Sequence, residues 1–204
     1  GYTEQFFDLA LGLDDNWRID EVIANHKEKE IEVFITHVGK QAECPLTLDL
    51  CGIYDHAPVR KWRHLDVLEF KTYLVCRLPR LTTRQGNVVT ALAPWGAKSA
   101  RYTYLFETRA INVLLATQNQ TKAADLMGCT FYQINTLMHR AVGRGLNRRP
   151  PNIPFKNLSL DEKSFQKGHK YITVLSCPSA GVVLDVCLDR TKKATTSLLK
   201  KVVS

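Results

Sequence analysis

The sequence predicts an α+β chain, and three observations predict this fold class. Apolar and polar residues alternate through much of residues 31–77, as is typical of half-buried strands. Apolar residues then follow at helical spacing through residues 99–144. A basic, proline-rich stretch over residues 146–157 separates this helical region from three further strand-like runs. Another helical pattern follows these runs.

The charge of the chain is unevenly distributed. Residues 1–43 carry a net charge of −6, and residues 44–204 carry +14. So large a basic block indicates a polyanionic partner, most often nucleic acid, although a merely basic surface has the same composition. No apolar run approaches the roughly 20 residues of a membrane span, so no membrane partner is expected. Six dispersed cysteines favour a reducing, cytoplasmic setting.

Residues 44–86 contain several side chains of the kinds that bind zinc. They are Cys44, Cys51, His56, His64 and Cys76. Structural zinc sites usually take their ligands in closely spaced pairs, whereas Cys44 and Cys51 are seven positions apart. The pattern therefore favours ordinary cysteines on a β-rich module, and zinc is not expected.

Residues 121–144 predict two short helices joined by a sharp turn. Thr121 is expected to cap the first helix, Gly128 to permit the turn and Thr130 to cap the second helix. The polar face of the second helix would carry Tyr132, Gln133, Asn135, Thr136 and His139, and Thr130 at its start is expected to contact DNA as well. Amide side chains suit adenine edges in the major groove, which suggests a helix-turn-helix that reads bases.

A basic flank follows these helices and would neutralise DNA phosphates. It consists of Arg140, Arg144, Arg148 and Arg149. An ordinary helical hairpin with a solvated polar face explains the pattern about as well, and the basic flank favours DNA.

The stretch "LSLDEKSFQKGH" places Asp161 at the expected end of a strand. Two hairpin strands and a helix follow, an order that suits the start of a ribonuclease-H-like fold. In such folds a carboxylate on the first strand binds a divalent metal, and Mg²⁺ prefers oxygen ligands. The alternative is an aspartate that caps a turn, and without a partner carboxylate this alternative would be preferred.

Four stretches of the chain together resemble the ISL-three family of insertion-sequence transposases, which are of the DDE type. They are "LALGLDDNWRIDEV", "CPLTLDLCGIYDHAPVRKWRHLDVLEFKTYLVCRLPR", "APWGAKSARYTYLFE" and "LSLDEKSFQKGHKYITVL". The most specific piece is "YDHAPVRKWRHLD", and the resemblance covers nearly the whole chain.

The resemblance implies a transposase that binds the terminal inverted repeats of an insertion sequence. At full length it would catalyse Mg²⁺-dependent DNA strand cleavage and transfer. The first catalytic aspartate falls on Asp161, which would ligate Mg²⁺, and a later Asp and Glu are implied beyond Ser204. Lys61 and Arg63 would join the phosphate contacts. The cluster Lys167, Gly168 and His169 matches the family without an assigned role.

The resemblance also implies the domain organisation and the setting. Residues 1–98 would form a β-rich region that contains a zinc-finger-like unit over residues 42–94. Residues 99–149 would form the DNA-binding region, and residues 150–204 would begin the catalytic domain, so that the chain is the N-terminal half of a transposase. A homodimer or higher oligomer, associated with the bacterial nucleoid, is implied as well.

The finger-like unit departs from the family pattern. Cys44 and Pro45 match it, but Thr47, Thr83 and Gly86 stand where further ligands are expected. The unit is therefore predicted to keep its β fold without zinc, held by apolar residues that include Trp62, Leu65, Phe70 and Leu74.

Two other functions fit the sequence. A truncated or repurposed transposase would act as a non-catalytic DNA-binding repressor. A structural or RNA-binding basic protein fits less well, because a helix-turn-helix has little use in it.

Overall fold

A computed structural model describes residues 1–147, 157–166, 170–180, 182–187 and 191–203. In these residues the chain combines sheets with helices, so the α+β prediction is confirmed. The chain divides into two compact units, residues 1–147 and residues 148–204. The first unit takes in both the predicted N-terminal and helical regions; the three-module division stays a prediction. No helix among the described residues is long and apolar enough to cross a membrane.

The first unit begins with a helix and eight strands and ends with three helices. In chain order its elements are α1 (Tyr2–Leu11), β1 (Trp17–Asn25), β2 (Glu30–His37), β3 (Gln41–Glu43), β4 (Leu50–His56), β5 (Arg60–Val67), β6 (Phe70–Cys76), β7 (Pro79–Thr82), β8 (Val88–Thr90), α2 (Tyr104–Thr117), α3 (Gln120–Met127) and α4 (Phe131–Asn147).

The main sheet of the first unit has the strand order β1-β2-β6-β5. Strands β2 and β6 pair in parallel, while the other two pairs are antiparallel. The alternation seen in the sequence buries one face of β2, where Val33 and Ile35 lie, because successive strand residues point to opposite faces. Trp62 of β5 and Leu74 of β6 are fully buried against this face.

A second sheet has the order β3-β4-β7-β8 and its own small core. That core consists of Cys44, Cys51, Leu81 and Ala91. Residues 42–94 are therefore shared between two sheets. Trp62 and Leu74, which were expected to hold the finger-like unit together, lie in the core of the main sheet instead. The expectation missed the parallel pairing of β6 with β2, which brings together residues about forty positions apart.

Two helix starts differ from the sequence predictions. Helix α2 begins at Tyr104 rather than near Ser99, because the Thr103 hydroxyl accepts a hydrogen bond from the Phe106 backbone N–H and caps the helix. Helix α3 is capped by Asn119, whose side chain accepts from the Lys122 N–H, and not by Thr121.

The second unit is described separately. It contains β9 (Ser159–Gln166), β10 (Lys170–Cys177), a short 3-10 helix (Pro178–Ala180), β11 (Val182–Cys187) and α5 (Lys192–Val203). The strands form an antiparallel sheet in the order β11-β10-β9. The prediction that the first strand ends at Asp161 is wrong, since Asp161 pairs with Val174 inside β9 and the strand continues to Gln166.

The main sheet is joined to the helices through the middle of β5. The backbone N–H of Arg63 donates to the carbonyl of Arg101, and the N–H of Thr103 donates to the carbonyl of Arg63. The Nδ1 of buried His64 lies 2.9 Å from the Thr103 hydroxyl that caps α2. Burial lowers the pKa of His64 from its ordinary 6.5 to about 4, so the ring is neutral at pH 7.

This lowered pKa predicts acid destabilisation of the first unit. Between pH 6.5 and about 4 the unfolded state binds a proton at His64 that the folded state excludes, so stability falls as pH falls through this window. The shift corresponds to about 3 kcal/mol. We expect His64→Gln to lose this part of the pH dependence in urea unfolding followed by tryptophan fluorescence. The exposed-histidine control His26→Gln should keep it; equal pH dependence in both variants would contradict the prediction.

Candidate nucleic-acid interface

Helices α3 and α4 are joined by the three residues Gly128, Cys129 and Thr130. Gly128 adopts a left-handed conformation with φ of 60°, which a residue with a side chain rarely adopts. Thr130 and Gln133 then cap each other. The Thr130 hydroxyl accepts from the Gln133 N–H at 3.2 Å, and the Gln133 side-chain oxygen accepts from the Thr130 N–H at 2.8 Å. This capping box fixes where α4 begins.

One face of α4 packs on α2 and α3, and the opposite face is open. Ile134 and Leu137 are buried in the helical core. Tyr132 and His139 lie on the opposite face and are exposed, with Asn135 half-buried between them. The outward face therefore presents a phenol, an imidazole and an amide to solvent.

Two other predicted contacts are engaged within the helix. The Thr136 hydroxyl donates to the carbonyl of Tyr132 at 3.0 Å. The oxygen of the Gln133 amide accepts the capping-box hydrogen bond, which fixes the side chain while its nitrogen can still donate. The sequence signal for the box was Thr130 followed three residues later by Gln133.

Arg140 and Arg144, predicted as phosphate contacts, both pair with Glu107 of α2. Arg144 Nη1 donates to Glu107 Oε2 at 2.9 Å, and Arg140 Nη1 lies 3.0 Å from Glu107 Oε1. The Glu107 side chain is 4% exposed. One carboxylate thus offsets part of the charge of two arginines, and the trio keeps a net charge of +1. Sequence reasoning missed Glu107; the signal was the spacing of the two arginines, which places them on one helix face.

Lys61 and Arg63 also have acidic partners. Lys61 Nζ lies 2.6 Å from Glu32 Oε1. The Arg63 side chain is only 7% exposed; its guanidinium pairs with Asp66 at 2.6 Å and reaches the carbonyl of Met127 at 3.4 Å. Arg63 is therefore in large part a structural residue between the sheet and the helices.

The remaining predicted residues lie in the second unit. Asp161 and Glu162 are exposed on β9. Arg148, Arg149 and the cluster Lys167 to His169 lie outside the described residues. Within the described part of the chain, no group of three or more His, Cys, Asp or Glu side chains is placed to hold a metal ion.

Cys44 and Cys51 lie together in the small core of the second sheet. The Thr47 hydroxyl and the backbone N–H groups of Leu46 and Thr47 hydrogen-bond to the sulfur of Cys44 and lower its pKa. Burial raises the pKa of neighbouring Cys51. Thr47, which was expected to stand at a ligand position, thus lies close enough to Cys44 to stabilise its thiolate.

The pairing around Glu107 leads to a stability prediction. We expect the double variant Arg140→Gln, Arg144→Gln to lower the free energy of unfolding of the first unit by about 3 kcal/mol, because a buried carboxylate loses both cations. Urea unfolding followed by tryptophan fluorescence measures this unit alone, since Trp17, Trp62 and Trp95 all lie in it.

The matched control is Arg109→Gln with Lys122→Gln, which removes the same charge from exposed positions on α2 and α3. Its cost should stay within about 0.5 kcal/mol. Adding Glu107→Gln to the arginine pair should recover part of the loss. Equal costs for the two double variants would contradict the structural role of the trio.

Comparison with known proteins finds a similarity to a transposase. The chain is 24% identical over 123 residues to the "Transposase for insertion sequence element IS1557" of Mycobacterium tuberculosis, in strains CDC 1551 / Oshkosh and ATCC 25618 / H37Rv. The match covers 60% of this chain but 28% of the relatives' length. No family model and no solved structure matches. Over more than half of its length the chain is thus distantly similar to an insertion-sequence transposase.

Proposed function

We propose that this chain is part of a DDE transposase of the ISL-three family that binds the terminal inverted repeats of an insertion sequence. The observation that carries the proposal is the open polar face of α4, set on a helix pair with a glycine-containing three-residue turn. The similarity to a relative named as a transposase supports it. Recognition of two ends would require a homodimer or higher oligomer.

In this proposal α4 is the recognition helix of a helix-turn-helix. Such a helix lies in the major groove of double-stranded DNA with its N-terminal residues against base edges. Asn135 would pair with adenine through its amide, while Tyr132 and His139 would contact neighbouring edges. The net positive charge left on Arg140, Arg144 and Glu107 would lie near the phosphates at one side of the helix.

The second unit would begin a ribonuclease-H-like catalytic domain. Three antiparallel strands followed by a helix, as in β9 to α5, support this assignment. Asp161 would supply one oxygen ligand to Mg²⁺, the ion that activates the attacking oxygen in such reactions. The described residues do not complete a magnesium site around it, so the proposal assigns no catalytic step to them.

The base-reading role predicts a loss of sequence preference in one variant. Asn135→Ala should reduce discrimination between the preferred duplex and a scrambled one by about 1–3 kcal/mol, because a bidentate amide–adenine pair is lost. The preferred duplex would be selected from a random pool, and affinities measured by gel shift at fixed salt.

The matched control is Asn87→Ala, which removes an exposed amide from a turn of the second sheet. It should leave discrimination unchanged. Two results would count against α4 as a base-reading helix. One is that the unaltered protein selects no preferred sequence, and the other is that both variants discriminate equally between the preferred and the scrambled duplex.

We also propose that the finger-like unit folds without zinc. Thr47 stands where the family has a ligand and lowers the pKa of Cys44, and Cys51 packs beside Cys44 in a small apolar core. Purified protein washed with a chelator should contain zinc far below one equivalent by elemental analysis and keep its unfolding midpoint. Stoichiometric zinc that resists the wash would refute this.

A further inference from the structure

A cleft of about 480 Å³ lies between the main sheet and the turn that precedes α4. Its basic lining residues are Lys61, Arg63, Lys71 and Arg101. No acidic side chain lines it among the residues the structure describes. The other wall includes Gly128, Thr130 and Gln133, so the cleft opens beside the first turn of the proposed recognition helix.

The four cations of this cleft are not equivalent. Lys61 is paired with Glu32, and Arg63 is buried and paired with Asp66. Each of these acids offsets part of the charge of its partner. The positive potential of the cleft therefore depends mainly on the other two cations, which sequence reasoning had not selected.

Lys71 and Arg101 are exposed, and neither forms an ion pair with any described residue. A Cβ placed on Gly128 would lie 3.5 Å from Lys71 Cε and 3.5 Å from Arg63 Nη2. The Lys71 side chain thus lies directly over the turn. The nearby acid Asp66 pairs with Arg63 and also attracts Lys71, but Lys71 forms no ion pair with it.

We propose that this cleft binds a backbone phosphate of double-stranded DNA through Lys71 and Arg101, an inference that rests on the proposed DNA binding by α4. Two cations that line one cleft without an ion-pair partner suit a phosphate, because they neutralise its charge and release counterions. Tyr73 and Tyr102 line the same cleft, and a tyrosine hydroxyl can donate a hydrogen bond to a phosphate oxygen.

The position of the cleft favours duplex DNA as the partner. When the start of a recognition helix enters the major groove, the phosphates that border the groove lie on both sides of it. The cleft lies at one such side. A phosphate held there would set the register of α4 on the duplex, so that the main sheet contributes to the DNA footprint.

The test compares two double variants of the full chain with a fluorescein-labelled duplex of mixed sequence. Affinity is measured by anisotropy at several salt concentrations. Lys71→Met with Arg101→Met should reduce the slope of log K against log salt by about 1. The control, Lys40→Met with Arg84→Met, removes the same charge from exposed positions that do not line this cleft and should leave the slope unchanged. Tryptophan fluorescence verifies that both variants fold.

The outcomes separate this site from the function on which it rests. No binding by the unaltered protein overturns both. If the unaltered protein binds and the Lys71, Arg101 variant has the same slope of log K against log salt, the cleft site alone is overturned. The same conclusion follows if the control variant loses as much slope. Tighter binding of the unaltered protein to a duplex RNA of the same sequence overturns the assignment to DNA.

Discussion

The arrangement of the first unit depends on the burial of one cation, Arg63. Its guanidinium is bound by the Asp66 carboxylate and the Met127 carbonyl and lies 5.1 Å from the ring centre of Phe106. A buried charge is costly unless partners surround it, so the contacts of Arg63 favour one placement of α2 and the end of α3 against the sheet. His64, the next residue, repeats the link through the hydroxyl of Thr103. The sheet thereby fixes the place of the helices.

This attachment divides the surface of α4 into three parts. Ile134 and Leu137 pack inward, Arg140 and Arg144 turn to the Glu107 carboxylate, and the side of Tyr132 and His139 stays open. Because the two arginines share one buried acid, much of their charge stabilises the fold. The face of Tyr132 and His139 is the part of α4 that neither the helical core nor the Glu107 carboxylate uses, and this is why it carries the functional proposal.

Local patterns in the sequence predicted the local structure well. The alternation that buries Val33 and Ile35, and the turn at Gly128 with its Thr130 cap, could be read from a few neighbouring residues. The sharing of residues 42–94 between two sheets could not, since it depends on the parallel pairing of β2 with β6 across a long stretch of chain. Arg63 resembled a surface cation in the sequence, because arginine is rarely buried without partners that only the fold supplies.

Charge composition is likewise an incomplete guide to function. The basic composition of residues 44–204 pointed to a polyanion but not to a place on the surface. Lys61 and Arg63 form ion pairs with acids and would be poor sites for an added anion, whereas Lys71 forms no ion pair with any described residue. Two cations of equal formal charge can have entirely different neighbours. The structural observation that bears on DNA binding is therefore the set of positive charges that have no ion-pair partner among the described residues.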